Sequence, residues 1–152
     1  MKLVTYTKNN STDLGILINE NIYSLHQLDA SLPNNMRAFL FGGDETINKA
    51  KALDAYLKNG KLNATAIQLN EVTLLAPVNE PTSCRDGYAF RQHVAAARRN
   101  RKVDMIAEFD QYPIFYMTNH LSIQGPGEIV CMPDHFEKLD FELEAAIVIC
   151  KH

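Results

Sequence analysis

Tryptophan is absent from this 152-residue chain, and cysteine, proline and glycine are scarce at 3, 6 and 7 residues. Few glycines and prolines without any periodic pattern exclude collagen-like and low-complexity chains. Cys84, Cys131 and Cys150 are odd in number and lack metal-ligand spacing, so neither a disulfide framework nor a zinc site is expected. They suit a reducing, cytoplasmic setting. No apolar run approaches the roughly 18 residues of a membrane span, and Met1–Tyr6 is too poor in apolar residues for a signal peptide. A basic excess is lacking too: the net charge is -3, which gives no electrostatic footprint for nucleic acid. What remains, 46% hydrophobic and 22% charged, is the composition of an ordinary globular protein with no membrane partner.

The first half reads as a small α+β module of about 70 residues. Lys2–Tyr6, Leu14–Ile18 and Ile22–Leu25 are expected strands, separated by the turn residues Asn9-Asn10 and Asn19-Glu20-Asn21. A helix follows Ser31, with Pro33 in its first turn and Met36, Phe39 and Leu40 on one face, and Gly42-Gly43 ends it. Asp44 is expected to cap a second helix, in which Ile47, Ala50, Leu53 and Leu57 recur at helical spacing before Asn59-Gly60. His26 stands alone, and a solitary histidine is read as structural. After an expected strand at Glu71–Leu75, Pro77 and Asn79-Glu80-Pro81 mark a boundary, giving domains at 1–76 and 77–152.

Two stretches of the second half carry possible chemistry. Arg85–Arg99 reads as one helix with an apolar and a charged face. Asp86 and His93, seven residues apart, would then share a face at about 10 Å along the axis. One reading gives them a metal and a reacting group at the two ends of a small substrate. The plainer reading is an aspartate favouring the helix dipole and a histidine on a core stripe. Farther on, Leu139–Ile149 alternates acid and apolar residue before an apolar tail, the period of a strand with Asp140, Glu142 and Glu144 on one face. Three like charges there call for open water or a hard divalent cation, and oxygen-only donors suit Mg²⁺, Ca²⁺ or Mn²⁺ rather than zinc.

Taken together these segments resemble the fumarylacetoacetate hydrolase family. The matching text is Asp86-x-Tyr88-x-x-Arg91-Gln92-His93, then Pro113-Ile114-Phe115-Tyr116, Gly125-Pro126-Gly127, and Leu139-Asp140-Phe141-Glu142-Leu143-Glu144. The resemblance extends over essentially the whole chain, the first half looking like the small domain that precedes the catalytic domain in longer members. It implies a fold in which a small α+β domain leads into a β-rich, mixed β-roll catalytic domain, here cut short. It implies a divalent cation held by Asp86, Glu142 and Glu144, His93 as general base, and Tyr88 and Tyr116 touching substrate oxygens. The cluster Arg98, Arg99, Arg101, Lys102 is a candidate for a substrate carboxylate, or else a solvated helix end.

By the same resemblance the activity is metal-dependent hydrolysis of a carbon–carbon bond in 1,3-diketo acids, by a catabolic homodimer. Family members continue past the Glu-x-Glu strand, and Cys150 stands where they have glycine. The expectation is therefore an incomplete active site. The alternatives are a non-catalytic remnant or complementing subunit, or a 2-oxo acid hydratase or decarboxylase on the same scaffold.

Overall fold

A computed structural model describes residues 1–149 and shows an α+β protein of helices and antiparallel strands. The chain divides into two compact units. The first comprises Met1–Asn79 together with the segment from Gln124 onward, and the second is Glu80–Ile123. No helix among the described residues is long and apolar enough to cross a membrane.

The first unit is built on β1 (Leu3–Lys8), β2 (Ser11–Ile18) and β3 (Asn21–Ser24), joined by tight hairpins. Asn9 and Asn10 have φ of 51° and 61°, the doubly left-handed turn whose twist matches a two-residue hairpin and which asparagine tolerates. Short strands β4 (Ile67–Gln68) and β5 (Thr73–Leu74) complete an antiparallel sheet of order β4-β3-β2-β1-β5. Of the expected strand at Glu71–Leu75 only Thr73–Leu74 pairs; Leu69–Glu71 forms a 3₁₀ turn. The third expected strand stops one residue early. Ser24 accepts from the Gln27 amide and caps the four-residue α1 (Leu25–Leu28).

Against one sheet face lie α2 (Met36–Phe41) and α3 (Gly43–Lys58). Leu14 and Ile16, two apart on β2, share that face and meet Leu25, Leu32, Met36, Phe39 and Ala50 in one core. Asn35 caps α2 by accepting from the Ala38 amide, so Pro33 stands before the helix rather than in its first turn. Gly42 occupies the N-cap of α3, which leaves Asp44 in the first turn, where its charge favours the helix dipole. His26 is structural as read: its Nδ1 donates to the Leu32 carbonyl at 2.8 Å.

The opposite face is organised by Tyr6, 2% exposed, whose hydroxyl donates to Asp13 on the neighbouring strand at 3.1 Å. Gly15 lies beside it, where a Cβ would come within 2.6 Å of Ile22 Cγ2 and 3.0 Å of the Tyr23 carbonyl. Gly125, from the Gly-Pro-Gly motif, is needed for the same reason. A Cβ there would come within 2.8 Å of Leu75 Cα and closer still to the Leu74 carbonyl, backbone that leaves no room for a side chain.

The expected strand over residues 139–149 is overturned. These residues pair with no strand among the described ones, and Phe141, Leu143 and Ile147 are 83%, 93% and 89% exposed. Alternation states only which face each side chain would take; a strand forms when a neighbour accepts its backbone groups. Asp140 also diverts one of those groups, because its carboxylate accepts from the Phe141 amide at 2.9 Å.

Two outcomes follow for the first unit. Gly15→Ala is expected to lower stability by about 1–3 kcal/mol, read from the midpoint of urea unfolding, because the added methyl overpacks a closed site. Burial, and then the charge of Asp13, push the Tyr6 hydroxyl well above its ordinary value of 10.0. The native state thus keeps a proton that the unfolded state loses, so stability is constant below pH 10 and falls as pH rises above it. Tyr6→Phe should flatten that alkaline loss in thermal melts taken from pH 8 to 11.

Candidate functional site

The second unit is held by a two-stranded ribbon of β6 (Arg85–Gly87) and β7 (Phe115–Met117). The ladder extends beyond both strands: the Tyr88 amide donates to Ile114 at 3.1 Å and the Thr118 amide to Cys84 at 3.2 Å. Register puts Asp86 directly opposite Tyr116, and the Tyr116 hydroxyl donates to Asp86 Oδ2 at 2.8 Å. On the other face Arg85 lies over the Phe115 ring at 5.4 Å, a diagonal cross-strand cation–π contact.

Arg85–Arg99 is therefore not one helix. Asp86 and Gly87 spend their backbone groups on β7, and glycine is a poor helix former. The helix α4 begins only at Arg91 and runs to Asn100. Asp86 and His93 consequently do not share a helix face. At the bend the Ala89 amide donates to the Gly87 carbonyl at 2.8 Å, a one-residue turn that redirects the chain before the helix starts.

That turn delivers Tyr88 to α4. Its ring meets the His93 imidazole edge to face, with centroids 5.7 Å apart and planes at 87°. The Tyr88 hydroxyl is buried and has no hydrogen-bond partner among the described residues. A buried hydroxyl without a partner costs about 1–3 kcal/mol, which marks a place where an acceptor from outside would be welcome. Val94, 2% exposed, anchors the helix, while His93 itself is exposed. Arg91 of the Arg-Gln-His motif pairs with Asp110 on α5 (Glu108–Gln111) and lies over Phe109 at 5.9 Å. The motif arginine thus fixes the start of α4.

At the far end of α4 the Arg101 amide caps the carbonyls of Ala97, Arg98 and Arg99, and Arg98 Nε donates to the Asp104 carbonyl. Cys84 and Cys131 are free thiols, and Cys150 falls outside the described residues.

The candidate residues thus form two pairs in the second unit, Asp86 with Tyr116 and Tyr88 with His93. Glu142 and Glu144 belong to the first unit, where both are exposed. As donors, three carboxylates have the chemistry a hard cation requires, and Tyr116 occupies only one Asp86 oxygen. Among the described residues, however, no group of three or more His, Cys, Asp or Glu side chains comes together to hold a metal ion. The pairing of Asp86 with Tyr116 and of Arg91 with Asp110 is not evident from the sequence. The run Ile114–Met117, aromatic and β-branched beside Pro113, was the available sign that a strand faces Asp86.

A strand carboxylate beside a tyrosine hydroxyl and, on the following helix, an exposed histidine against a second tyrosine are thus the polar groups that the second unit brings forward. Residues 82–152 match the family described as Fumarylacetoacetate (FAA) hydrolase C-terminal. Both this match and the relatives that follow make the chain similar to the fumarylacetoacetate hydrolase family. It is 27% identical over 154 residues to a Dictyostelium discoideum fumarylacetoacetate hydrolase domain-containing protein 2 homolog, covering 99% of this chain and 47% of that protein. It is 28% identical over 158 residues to the mitochondrial oxaloacetate tautomerase fahd2 of Xenopus laevis, covering 99% of this chain and 44% of that one. Against the human mitochondrial oxaloacetate tautomerase FAHD2A it is 32% identical over 133 residues, covering 86% of this chain and 37% of the relative. The chain thus spans less than half the length of these relatives.

Proposed function

We propose that this chain supplies the proton-transfer part of an enzyme acting on enolisable 2-oxo acids. The supporting observation is the exposed imidazole of His93, set by Tyr88 on a helix that starts just after the Asp86–Tyr116 pair. The names of the relatives favour keto–enol tautomerisation of oxaloacetate. In that reaction neutral His93 takes a proton from the carbon beside the ketone, the electron pair moves to the carbonyl oxygen, and a proton returns to that oxygen. The Tyr88 hydroxyl, buried and without a partner among the described residues, would donate to a substrate oxygen, and Tyr116, next to Asp86, would touch another.

The family name supports a second reading, hydrolysis of a carbon–carbon bond in 1,3-diketo acids. There His93 takes the proton from water as its oxygen attacks the carbonyl, and the departing carbon is protonated. Both readings share an enolate and the same base. On the family resemblance and the oxygen-only donor chemistry, and not on any grouping among the described residues, we also propose Asp86, Glu142 and Glu144 as the donors of a divalent cation in the whole protein, Mg²⁺ or Ca²⁺ with Mn²⁺ as a further candidate. Such an ion supplies polarisation of a substrate carbonyl when bound. A homodimer in a reducing compartment completes the proposal.

Two measurements test it. Enolisation of oxaloacetate, followed by the ultraviolet absorbance of the enol, should fall by about 10²–10⁴-fold in His93→Gln, whereas an acylpyruvate offered in parallel should not be cleaved. Cleavage of the acylpyruvate instead would select the hydrolytic reading, and full turnover in His93→Gln would remove the histidine from both. Calorimetric titration with Mg²⁺ and Mn²⁺ should show binding that Asp86→Ala and Glu142→Ala abolish. Binding unchanged in Glu142→Ala would exclude the carboxylate set.

A further inference from the structure

We propose that Tyr88 is a positioning residue for His93, acting through its ring, and that its ring and hydroxyl serve separable purposes. The inference rests on the reading of His93 as the proton carrier. His93 is exposed on α4, and an exposed imidazole with no neighbour is free to turn about both side-chain torsions. Among the described residues the ring packed against it is that of Tyr88, perpendicular at 87° with a centroid separation of 5.7 Å. Aromatic pairs favour edge-to-face packing at about 4.5–7 Å, so this contact selects one orientation of the imidazole plane.

The Tyr88 ring can do this because its own backbone is fixed. Its amide donates to the Ile114 carbonyl across the ribbon, and the Gly87–Ala89 turn directs the chain from the ribbon into α4. The path from ribbon to base is therefore short: Ile114, just before β7, holds Tyr88, and Tyr88 holds His93. The same ribbon holds Asp86 against Tyr116. The base and the acidic strand residue thus take their placement from one pair of strands although they lie on different elements.

The hydroxyl takes no part in this contact. It is buried without a hydrogen-bond partner among the described residues, and removing it leaves the ring in place. A tyrosine used only to wedge the histidine would need no buried hydroxyl, and one used only as a donor would need no edge-to-face imidazole. The two features together assign the ring to orientation of the base and the hydroxyl to a ligand oxygen.

Steady-state kinetics of Tyr88→Phe, Tyr88→Leu, His93→Gln and the double variant Tyr88→Leu/His93→Gln separate these roles, with ring-to-ring nuclear Overhauser contacts as the structural readout. Tyr88→Phe should keep the contact to His93 and keep kcat while KM rises about three- to tenfold for one lost hydrogen bond. Tyr88→Leu should lower kcat about ten- to a hundredfold, the scale of a misplaced catalytic group. Once His93 is gone, the leucine substitution should cost nothing further in kcat, because it acts through the imidazole. An unchanged kcat in Tyr88→Leu, or a full additional loss in the double variant, overturns the positioning role while leaving His93 as the base. Full turnover in His93→Gln overturns the reading of the histidine and the positioning role with it. If Tyr88→Leu does not fold, Tyr88→Phe decides. A kept kcat with the ring contact present supports the proposal; a lost kcat with the contact present overturns it, since the hydroxyl and not the ring would then serve the reaction.

Discussion

The antiparallel pairing of Arg85–Gly87 with Phe115–Met117 is the constraint on which the candidate site depends. Its register places Asp86 opposite Tyr116, and its continuation through Tyr88 and Ile114 fixes the point where the chain leaves the ribbon. A shift of one residue would move Asp86 to the face that Arg85 and Phe115 now occupy, separating the carboxylate from the tyrosine hydroxyl. The helix bearing His93 then starts where the ribbon releases the backbone, at a position reinforced by Arg91 through Asp110 and Phe109. Three short elements and one ion pair therefore arrange what the Asp-x-Tyr-x-x-Arg-Gln-His motif contains.

The first unit obeys a different logic, in which bulk hydrophobic burial dominates and little polar chemistry is involved. Leu14 and Ile16 face the helices, while Tyr6 and Ile22, on the two neighbouring strands, are buried on the far side of the same sheet. A sheet buried on both faces tolerates few changes of volume, which is why Gly15 is confined between Tyr6 and Ile22. Gly125 brings a later part of the chain against Leu74 and Leu75 by the same economy of space. This motif glycine is a packing residue first, whatever chemistry lies near it in the sequence.

Much of this was legible from local signals. The asparagine pairs announced the hairpins because few residues tolerate the left-handed backbone that such turns need. The spacing of Ile47, Ala50, Leu53 and Leu57 announced α3, because a helix repeats every 3.6 residues whatever it packs on. The errors came where two local signals competed. Alanines and arginines argued for a helix from Arg85 onward, but the backbone of Asp86 and Gly87 found partners thirty residues away. The alternation from Leu139 argued for a strand, and no neighbour among the described residues receives it.

By itself, then, the sequence determined the residue types, the turns and the helical periodicities, all of which depend on a residue and its near neighbours, and it carried the family resemblance in motifs spread along the chain. It also placed Asp86, Tyr88, His93 and Tyr116 among the residues of interest. Only the tertiary structure decided that Asp86 lies on a strand against Tyr116, and that Tyr88 stands edge-to-face with His93, its hydroxyl buried and unpartnered among the described residues. The physical reason is that strand register and ring contacts are set by backbone hydrogen bonds between distant segments. A pattern of side chains along one segment states a preference for a face, and the choice of partner belongs to the fold.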